Sequence, residues 1–383
     1  MGIQGDTMSV SVNGTSGLTF NDATTQNTSA FYGGLAFRNR IINGAMVIDQ
    51  RNAGAVVTPT SAQYTLDRYK FDVTQTAKLT TQQNAGSVTP PVGFSNYLGI
   101  TSSPSAYSVL IGDYFLLSQA IEGFNFADMA WGAANAKTVT LSFQVYSSLT
   151  GTFGGAITNS AQNRSYPFTY SIPVANTWTS ISVTIAGDTS GTWIGATNGV
   201  GLRVYWNLGT GATYSGTAGA WAGATYFSAT GATSVVGTAN ATFYITGVQL
   251  EKGSTATSFD YRPYGTELAL CQRYLPAFVA TAINATLPFS GCGVNATNQA
   301  GVFKFDVQAR TPPTGVTVSS ASHFSSSRPS TGVTVATAVA FAASSTEACQ
   351  FQISAASGLV ADVPYLLYAN SASGVMLFTG CEL

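Results

Sequence analysis

Apolar and polar residues alternate along much of this chain with a period of two. In KTVTLSFQVYS, the residues Val139, Leu141, Phe143 and Val145 alternate with Thr, Ser, Gln and Tyr. Such alternation is typical of a strand that buries one face and exposes the other. The same pattern recurs in residues 178–187, 201–207 and 241–250. Because turns rich in Gly, Thr and Asn separate these segments, the pattern predicts an all-β fold of the two-sheet or jelly-roll type.

Changes in this pattern divide the chain into four parts. Residues 1–36 mix Asn, Thr, Ser and Gly with isolated apolar residues, which predicts an extended tail without a core of its own. Residues 37–264 predict a large jelly-roll or β-sandwich domain, in which FLLSQAIEGFNFADMAWG (115–132) could begin as a strand and continue as a short helix or an extended crossing. Residues 265–275 predict a linker helix. The alternation resumes in residues 276–383 and predicts a smaller β-sandwich.

The predicted helix, GTELALCQRYL, shows the spacing of a short amphipathic segment. Thr266 is expected to cap its first turn, and the carboxylate of Glu267 suits the positive end of the helix. The apolar residues that share one face at helical spacing are Leu268, Cys271 and Leu275. The helix is therefore expected to connect the two β-domains.

Charged residues are scarce in this protein, and their scarcity limits the kinds of partner that it is expected to bind. Of 383 residues, only 8% are charged and the net charge is −1, whereas 45% are hydrophobic. The hydrophobic content is enough to build cores. No cluster of basic residues is present that would attract nucleic acid. No run of about 18 apolar residues predicts a membrane span, and the first residues lack the pattern of a signal peptide. Neither nucleic acid nor a membrane is expected as a partner.

Residues that could perform catalysis are few. His323 is the only histidine, and it lies in a Ser-rich loop without a Gly-x-Ser-x-Gly motif. Glu122 and Asp128 could form the carboxylate pair of a glycosidase, but 16 acidic residues in the whole chain leave little to build a charged cleft around them. Asp113 or Asp188 could serve a calcium ion, although no Asp/Asn cluster marks such a site. We predict no catalytic residues, no bound metal and no cofactor.

Four cysteines lie far apart in the sequence and lack metal-binding spacing. Cys271, Cys292, Cys349 and Cys381 are interpreted as buried free thiols. A disulfide between Cys349 and Cys381 remains as an alternative.

Aromatic residues offer a better indication of binding. Trp131, Trp193 and Trp221 are the candidates for a surface that stacks on sugar rings, in a chain rich in Asn, Thr and Tyr. The alternative for each of them is core packing. Trp206 follows the strand alternation and is predicted to be buried.

Two stretches, residues 38–72 and 247–275, hold many of the charges and lie at the two ends of the large domain. Because the terminal strands of a sandwich often pair, these charges could meet across the seam in charge-assisted hydrogen bonds. The predicted structural latch consists of Asp67, Arg68, Asp260 and Arg262. An acid/base site is the alternative interpretation.

Several long motifs carry a family resemblance. NRIINGAMVIDQRNAG (39–54) and YTLDRYKFD (64–72) resemble the opening of the carbohydrate-binding-module-like domains found in bacteriophage tail fibres and other virion structural proteins. Residues 121–172 are similar to the middle of these domains, and residues 240–274 to their closing signature. Residues 14–34 look like linkers that join such domains to a virion anchor. The carboxyl domain resembles fibre tip domains only through ARTPPTGVTVSSASHF.

The resemblance implies a non-enzymatic virion fibre or appendage protein that is made in the bacterial cytoplasm and exposed on the phage particle. It implies a homotrimer in which residues 1–36 contact other virion proteins and the body binds a polysaccharide of the host surface during adsorption. Two alternatives stay open: a purely structural decoration or connector of head or tail, and a polysaccharide depolymerase.

Overall fold

The computed structural model describes residues 37–328 and 333–383, together with three short strands that precede them. By their contacts, Met1–Arg38 and Asn39–Leu383 form two separate units. In the first unit, three antiparallel strands form a small sheet: β1 (Ser11–Asn13), β2 (Gly17–Thr19) and β3 (Thr25–Gln26). Apart from these strands, the segment predicted to anchor the protein to a virion, residues 1–36, lies outside the described residues.

The large domain begins with strands that are mostly short and continues with longer ones. They are β4 (Gln63–Leu66), β5 (Tyr69–Val73), β6 (Leu79–Gln83), β7 (Leu98–Ser102), β8 (Tyr114–Glu122), β9 (Val139–Ser147), β10 (Gly151–Thr158), β11 (Ser165–Ile172), β12 (Thr179–Ile185), β13 (Val200–Thr210), β14 (Ser215–Gly216), β15 (Ser228–Ala229) and β16 (Thr242–Lys252). Single 3-10 turns occur at Ala85–Ser87, Gly123–Asn125, Ala127–Met129 and Ala212–Tyr214. The segment 115–132 is thus a strand followed by two 3-10 turns.

Eleven of these strands form two antiparallel sheets with a shared core, and β14 and β15 form a separate parallel pair. The six-stranded sheet has the order β11-β10-β13-β8-β5-β4 and the five-stranded sheet the order β12-β9-β16-β7-β6. Val139, Leu141, Phe143 and Val145 are at most 1% exposed, as their alternation predicts. Phe143 of one sheet meets Trp206 of the other with ring centroids 5.9 Å apart. The predicted all-β sandwich and the burial of Trp206 are confirmed.

An α-helix, α1 (Tyr264–Gln272), follows the large domain. Its N-cap position is Pro263, and no side chain caps the first turn. The predicted capping by Thr266 is wrong, because Thr266 already lies inside the helix and its backbone N–H donates to the carbonyl of Pro263 at 2.9 Å. Glu267 does lie in the first turn, as expected, and is buried.

The carboxyl domain is also built from antiparallel strands. They are β17 (Ala277–Val279), β18 (Phe289–Gly293), β19 (Asn298–Lys304), β20 (Gly315–Val318), β21 (Phe324–Ser327), β22 (Val333–Ser344), β23 (Ala348–Ala355), β24 (Pro364–Ala369) and β25 (Val375–Thr379), with a 3-10 turn at Ala321–His323. Six of them close into a barrel in the order β18-β19-β23-β22-β21-β24, and the other three form a sheet in the order β17-β25-β20. The predicted second β-sandwich is in detail this barrel with an added sheet.

The core of the carboxyl domain is separate from that of the large domain. In it, the ring centroid of Phe378 lies 4.8 Å from that of Phe303 and 6.1 Å from that of Phe351. The alternation in β22 misled in part: Val333 and Val335 are 57% and 44% exposed, whereas Ala336 is buried, so at this end of the strand the odd-numbered positions face outward. No helix of the described residues is long and apolar enough to cross a membrane.

Candidate functional site

The three tryptophans predicted to bind sugar come together in space. Trp131 lies 4.8 Å from Trp193 and 5.2 Å from Trp221, and the latter two are 5.4 Å apart, measured between ring centroids. Their planes meet at 80–88°. Each indole therefore directs an edge at the face of a neighbour, which is a favourable packing geometry but not a flat platform.

The protein itself satisfies the indole N–H groups of this cluster. Trp131 is 6% exposed and donates to the carbonyl of Lys137 at 2.7 Å, and Trp221 donates to the carbonyl of Ala186 at 2.8 Å. Trp193 donates to the carbonyl of Ser190 at 3.2 Å. Trp193 and Trp221 stay partly exposed at the edge of the main core. A role of the three in glycan binding stays a prediction.

The charges of the predicted latch separate into two groups. In the first group, the carboxylate of Asp260 accepts a hydrogen bond from the backbone N–H of Asn39 at 3.2 Å. Arg262 donates to the carbonyls of Asn39 and Ile41 and to the carboxylate of Glu267. The end of the large domain therefore does meet its beginning, mainly through backbone groups of residues 39–41.

The second group, Asp67 and Arg68, has other partners. The carboxylate of Asp67 accepts hydrogen bonds from the backbone and side-chain N–H groups of Gln50 at 2.8 and 2.7 Å. The guanidinium of Arg68 lies 3.6 Å from the ring centroid of Tyr274 and bonds the carboxylate of Glu382 at 3.0 Å. The sequence could not reveal this last contact, because its partners are 314 residues apart.

Glu382 is the centre of a junction between the two domains. It also pairs with Arg51, and the side chains of Arg51 and Glu382 are each 13% exposed. Leu383 packs on an apolar cluster that includes Ile42 and Cys271 of the large domain and helix α1. The last residues of the chain thus return from β25 to the beginning of the large domain and hold the two domains together.

The two carboxylates considered for glycosidase chemistry are both engaged. Glu122 accepts hydrogen bonds from Arg273 at 2.6 and 2.9 Å and from the hydroxyl of Tyr274 at 2.7 Å. Burial alone would raise the pKa of Glu122, but these hydrogen bonds hold it below its usual range. A general acid needs the opposite shift. Asp128 pairs with Arg40 at 2.9 Å on the surface. Glu122 therefore connects β8 to helix α1.

All four cysteines are free thiols, so the alternative disulfide is not formed. Burial raises the pKa of Cys349 to about 11 and that of Cys381 to about 12. The predicted burial is wrong for Cys292, which is exposed. Within residues 37–328 and 333–383, no three His, Cys, Asp or Glu side chains come together in a way that could hold a metal ion. Asp188 instead pairs with Arg164 through two bonds of 2.7 Å.

A groove of about 510 Å³ lies on the outer face of the five-stranded sheet. Its floor consists of outward-facing residues of two neighbouring strands: Ser142 and Gln144 of β9 lie opposite Ser182 and Ser180 of β12. These positions alternate with the buried core residues Leu141, Phe143 and Val145 of β9, so the same period of two that builds the core directs polar groups into the groove.

Three aromatic rings form one wall of the groove. Phe94, Phe259 and Tyr261 contact one another with centroids 4.8–5.5 Å apart. Gly247 permits this arrangement: its φ is 62°, and a Cβ at this position would lie 2.6 Å from Cζ of Phe94. The hydroxyl of Tyr261 donates to the carbonyl of Gly93, which fixes the ring at the rim. Apolar ring surface thus stands next to a polar floor.

The floor offers hydrogen-bonding groups that the protein does not use. Ser180 donates to Oε1 of Gln144 at 3.0 Å, which directs the amide of Gln144. In the part of the chain that the structure describes, Nε2 of Gln144 and the hydroxyls of Ser142 and Ser182 have no hydrogen-bond partner. Two amide protons and two hydroxyls are therefore available to a molecule in the groove.

The same sheet face carries further aromatic rings beside the groove. Tyr146 follows Gln144 by two residues on β9 and stacks on Tyr244 of β16 with centroids 5.4 Å apart and planes at 5°. Trp178 contacts Tyr146 at 5.5 Å, and its indole N–H donates to the carbonyl of Thr89. Tyr146 and Trp178 are half-buried. Aromatic surface thus borders the polar floor in two places, at the wall of Phe94, Phe259 and Tyr261 and beside Tyr146.

The sequence analysis did not predict this groove, because the aromatic residues that it singled out were the three tryptophans described above. The available signal was the polar half of the strand alternation in 137–147 and 178–187, where Ser and Gln occupy the outward positions. That signal gives only the face of each strand. The loops that supply Phe94 and Phe259 lie far away in the sequence, and only folding brings them to the sheet.

Comparisons with known proteins complete the description. No protein-family model and no curated protein matches the chain. Among solved structures, the enzymatically active domain of tailspike protein 4 of bacteriophage CBA120 is 13% identical with a TM-score of 0.32, and the match covers 56% of this chain and 22% of that one. A putative sugar-binding protein from Bacteroides thetaiotaomicron is 14% identical with a TM-score of 0.31, covering 56% and 100%.

A family 11 carbohydrate-binding module from Clostridium thermocellum, in complex with a β-1,3-1,4-mixed-linked tetrasaccharide, is 9% identical with a TM-score of 0.26 and covers 54% of this chain and 98% of its own. Since all these TM-scores are below 0.5, the similarities carry no argument about function.

Proposed function

We propose that this protein is a non-enzymatic glycan-binding protein and that the groove on the five-stranded sheet is its binding site. The observation that carries the proposal is the combination of aromatic rings with unused amide and hydroxyl groups in one groove of about 510 Å³. Sugar rings present apolar C–H faces and a rim of hydroxyls, so they need both kinds of surface.

The fibre role rests on the motifs alone. Residues 39–54, 64–72, 121–172 and 240–274 resemble virion proteins of bacteriophages, which supports a fibre or appendage on the phage particle that binds polysaccharide of the host surface. In this proposal the chain assembles as a homotrimer, and residues 1–36 contact other virion proteins.

A second candidate function is a structural connector that binds no receptor. The observation that favours it is the junction at Glu382, where Arg51 and Arg68 connect the end of the chain to the large domain. Such a junction suits a part that transmits force between neighbours. Both candidates accept the same virion location and differ only in whether the groove has a ligand.

Titration of the full chain with oligosaccharides, followed by calorimetry or by NMR, separates the two candidates. We expect at least one oligosaccharide to bind, and Gln144→Ala to weaken it about fivefold or more, because one hydrogen bond contributes about 1 kcal/mol. The matched control is Thr169→Ala, an exposed residue on the outer face of the six-stranded sheet. Absence of binding at millimolar sugar for a broad panel would leave the connector as the function.

A further inference from the structure

The chemistry of the groove lining bears on which glycan the groove binds. None of the described residues that line it is an Asp, Glu, Lys, Arg or His. The polar groups on its floor are the amide of Gln144 and the hydroxyls of Ser142, Ser180 and Ser182. A carboxylate or phosphate held in proteins is bound by Arg, Lys or several converging N–H groups, and this groove supplies a single side-chain amide.

One buried carboxylate lies next to the groove. Glu251 is 3% exposed and lies beneath the rim residue Thr257, whose hydroxyl and backbone N–H donate to its carboxylate at 2.7 and 2.8 Å. A third donor, Nε2 of Gln249, is 2.8 Å away. Because these donors satisfy the carboxylate, a ligand in the groove cannot pair with it directly. The negative charge of Glu251, on the far side of Thr257, would still repel an anionic ligand in the groove.

A second carboxylate is turned away from the groove by the aromatic wall. Asp260 lies between the wall residues Phe259 and Tyr261, but it borders a separate cavity of about 150 Å³ on the other side. Its carboxylate there accepts the backbone N–H of Asn39. The wall thus separates charged from uncharged surface, and the charges of residues 260–267 belong to the second side.

From this arrangement we infer that the groove binds an uncharged segment of polysaccharide and discriminates against glycans that carry carboxylate or phosphate groups at the bound residues. The inference rests on the proposed glycan-binding function and adds the ligand class. An anionic sugar would lose water at its charge and gain no cation in return, whereas neutral hydroxyls exchange water for the amide of Gln144 and the serine hydroxyls.

The first experiment measures the affinity of the full chain for two sets of oligosaccharides by calorimetry. The neutral set contains oligomers of glucose, galactose, mannose and N-acetylglucosamine, and the anionic set contains oligogalacturonate, oligosialate and glycerol phosphate oligomers. We expect binding within the neutral set and at least about tenfold weaker binding of every anionic oligomer. The neutral affinity should stay constant between about 20 and about 500 mM salt, because no ion pair forms.

A charge placed in the groove gives the second test. Ser182→Lys adds a cation to the floor and should strengthen the binding of the anionic oligomers by about fivefold or more at low salt. The matched control is Ser171→Lys, which adds the same charge at an exposed position of β11 on the other sheet. This control should leave both sets unchanged.

The outcomes separate the inference from the function on which it rests. If an anionic oligomer binds as tightly as the best neutral one, and Gln144→Ala weakens it, the protein binds glycans in the groove but the inference of an uncharged ligand is wrong. If no oligomer of either set binds, the proposed function itself fails, and the inference fails with it. If neutral oligomers bind but Gln144→Ala has no effect, the binding site lies elsewhere and the inference is overturned.

Discussion

The junction at Glu382 allows a test of how the two domains are held together. Its carboxylate pairs with Arg51 and Arg68, whose side chains are 13% and 1% exposed. Arg68 is further fixed by the ring of Tyr274 and by a hydrogen bond of 2.5 Å to the carbonyl of Ala120. The change Glu382→Gln keeps the shape of the side chain and one acceptor oxygen but removes the charge that both arginines face.

The expected cost follows from the burial of the three groups. Removing one partner of a buried ion pair typically costs about 3–5 kcal/mol, because the remaining charge is left without compensation. The glutamine retains an acceptor for one arginine, and the pair with Arg51 is partly solvated. We therefore expect a smaller loss than this, about 2–3 kcal/mol in the free energy of unfolding.

Urea denaturation with two probes measures this loss and its location. All five tryptophans lie in the large domain, so their fluorescence follows that domain alone, whereas far-UV circular dichroism follows both. The two probes should give coincident transitions in the wild type. In Glu382→Gln the circular dichroism should begin to change at lower urea, because the barrel has lost its attachment.

Glu347→Gln is the matched control, since it removes an exposed carboxylate from the same domain. A surface substitution of this kind should change stability by less than about 0.5 kcal/mol. If Glu382→Gln is no more destabilising than Glu347→Gln, and the two probes still coincide, then the ion pairs do not hold the domains together and the reasoning is refuted.

Three further outcomes test other parts of the molecule. Burial raises the pKa of Asp67 from 3.8 to about 6, so the folded state binds this proton more tightly and the stability contributed by Asp67 should rise as the pH falls from about 7 to about 4. Urea titrations should show that the free energy of unfolding of the wild type rises by on the order of 2 kcal/mol relative to that of Asp67→Asn over this interval. A difference in stability that does not depend on pH would contradict the burial of the Asp67 carboxylate. Cys292 is the one exposed cysteine, so a thiol reagent should label one site per native chain and all four cysteines after denaturation. Fast labelling of a second site would show that local unfolding readily exposes a buried thiol. Trp131→Ala should lower the free energy of unfolding by about 3–5 kcal/mol, and a loss below about 1 kcal/mol would show that the tryptophan cluster adds little to the core.

Contacts around the end of helix α1 also join the large domain, which carries the groove, to the carboxyl domain. Arg273 at the end of helix α1 holds Glu122 of β8, and the backbone N–H of Arg310 donates to the carbonyl of Arg273 at 2.7 Å. Arg310 in turn donates to the carbonyl of Asn198 in the large domain at 2.9 Å. The residues at the end of the helix therefore contact both domains, and we expect the two domains to move as one body when a ligand binds in the groove.

Much of the fold could be predicted from the sequence because strand alternation is a local property. The inward residues of 137–147 were identified from their period alone, and Trp206 was placed in the core by the same rule. The spacing predicts a helix over 265–275, and the helix lies at Tyr264–Gln272 with Pro263 rather than Thr266 at its cap. Local patterns thus gave the type of each element more reliably than its ends.

The candidate site was harder to predict, since a pattern gives the face of a strand but not its neighbours. The sequence separated Gln144 from the buried residues around it, and it named three tryptophans that do cluster. It could not place Ser182 opposite Ser142, nor bring Phe94 and Phe259 to the same rim, because these depend on the order of strands and the path of loops.

The sequence by itself determined that this protein is built of strands, which residues face its cores and that its surface is poor in charge. The tertiary structure decided which charges meet: Arg51 and Arg68 pair with Glu382, more than 300 residues away, rather than with the charges near residue 260. It also decided that a groove lies on one sheet face. The physical reason is that burial depends on local periodicity, whereas pairing depends on contacts between distant segments, which exist only once the sheets have formed.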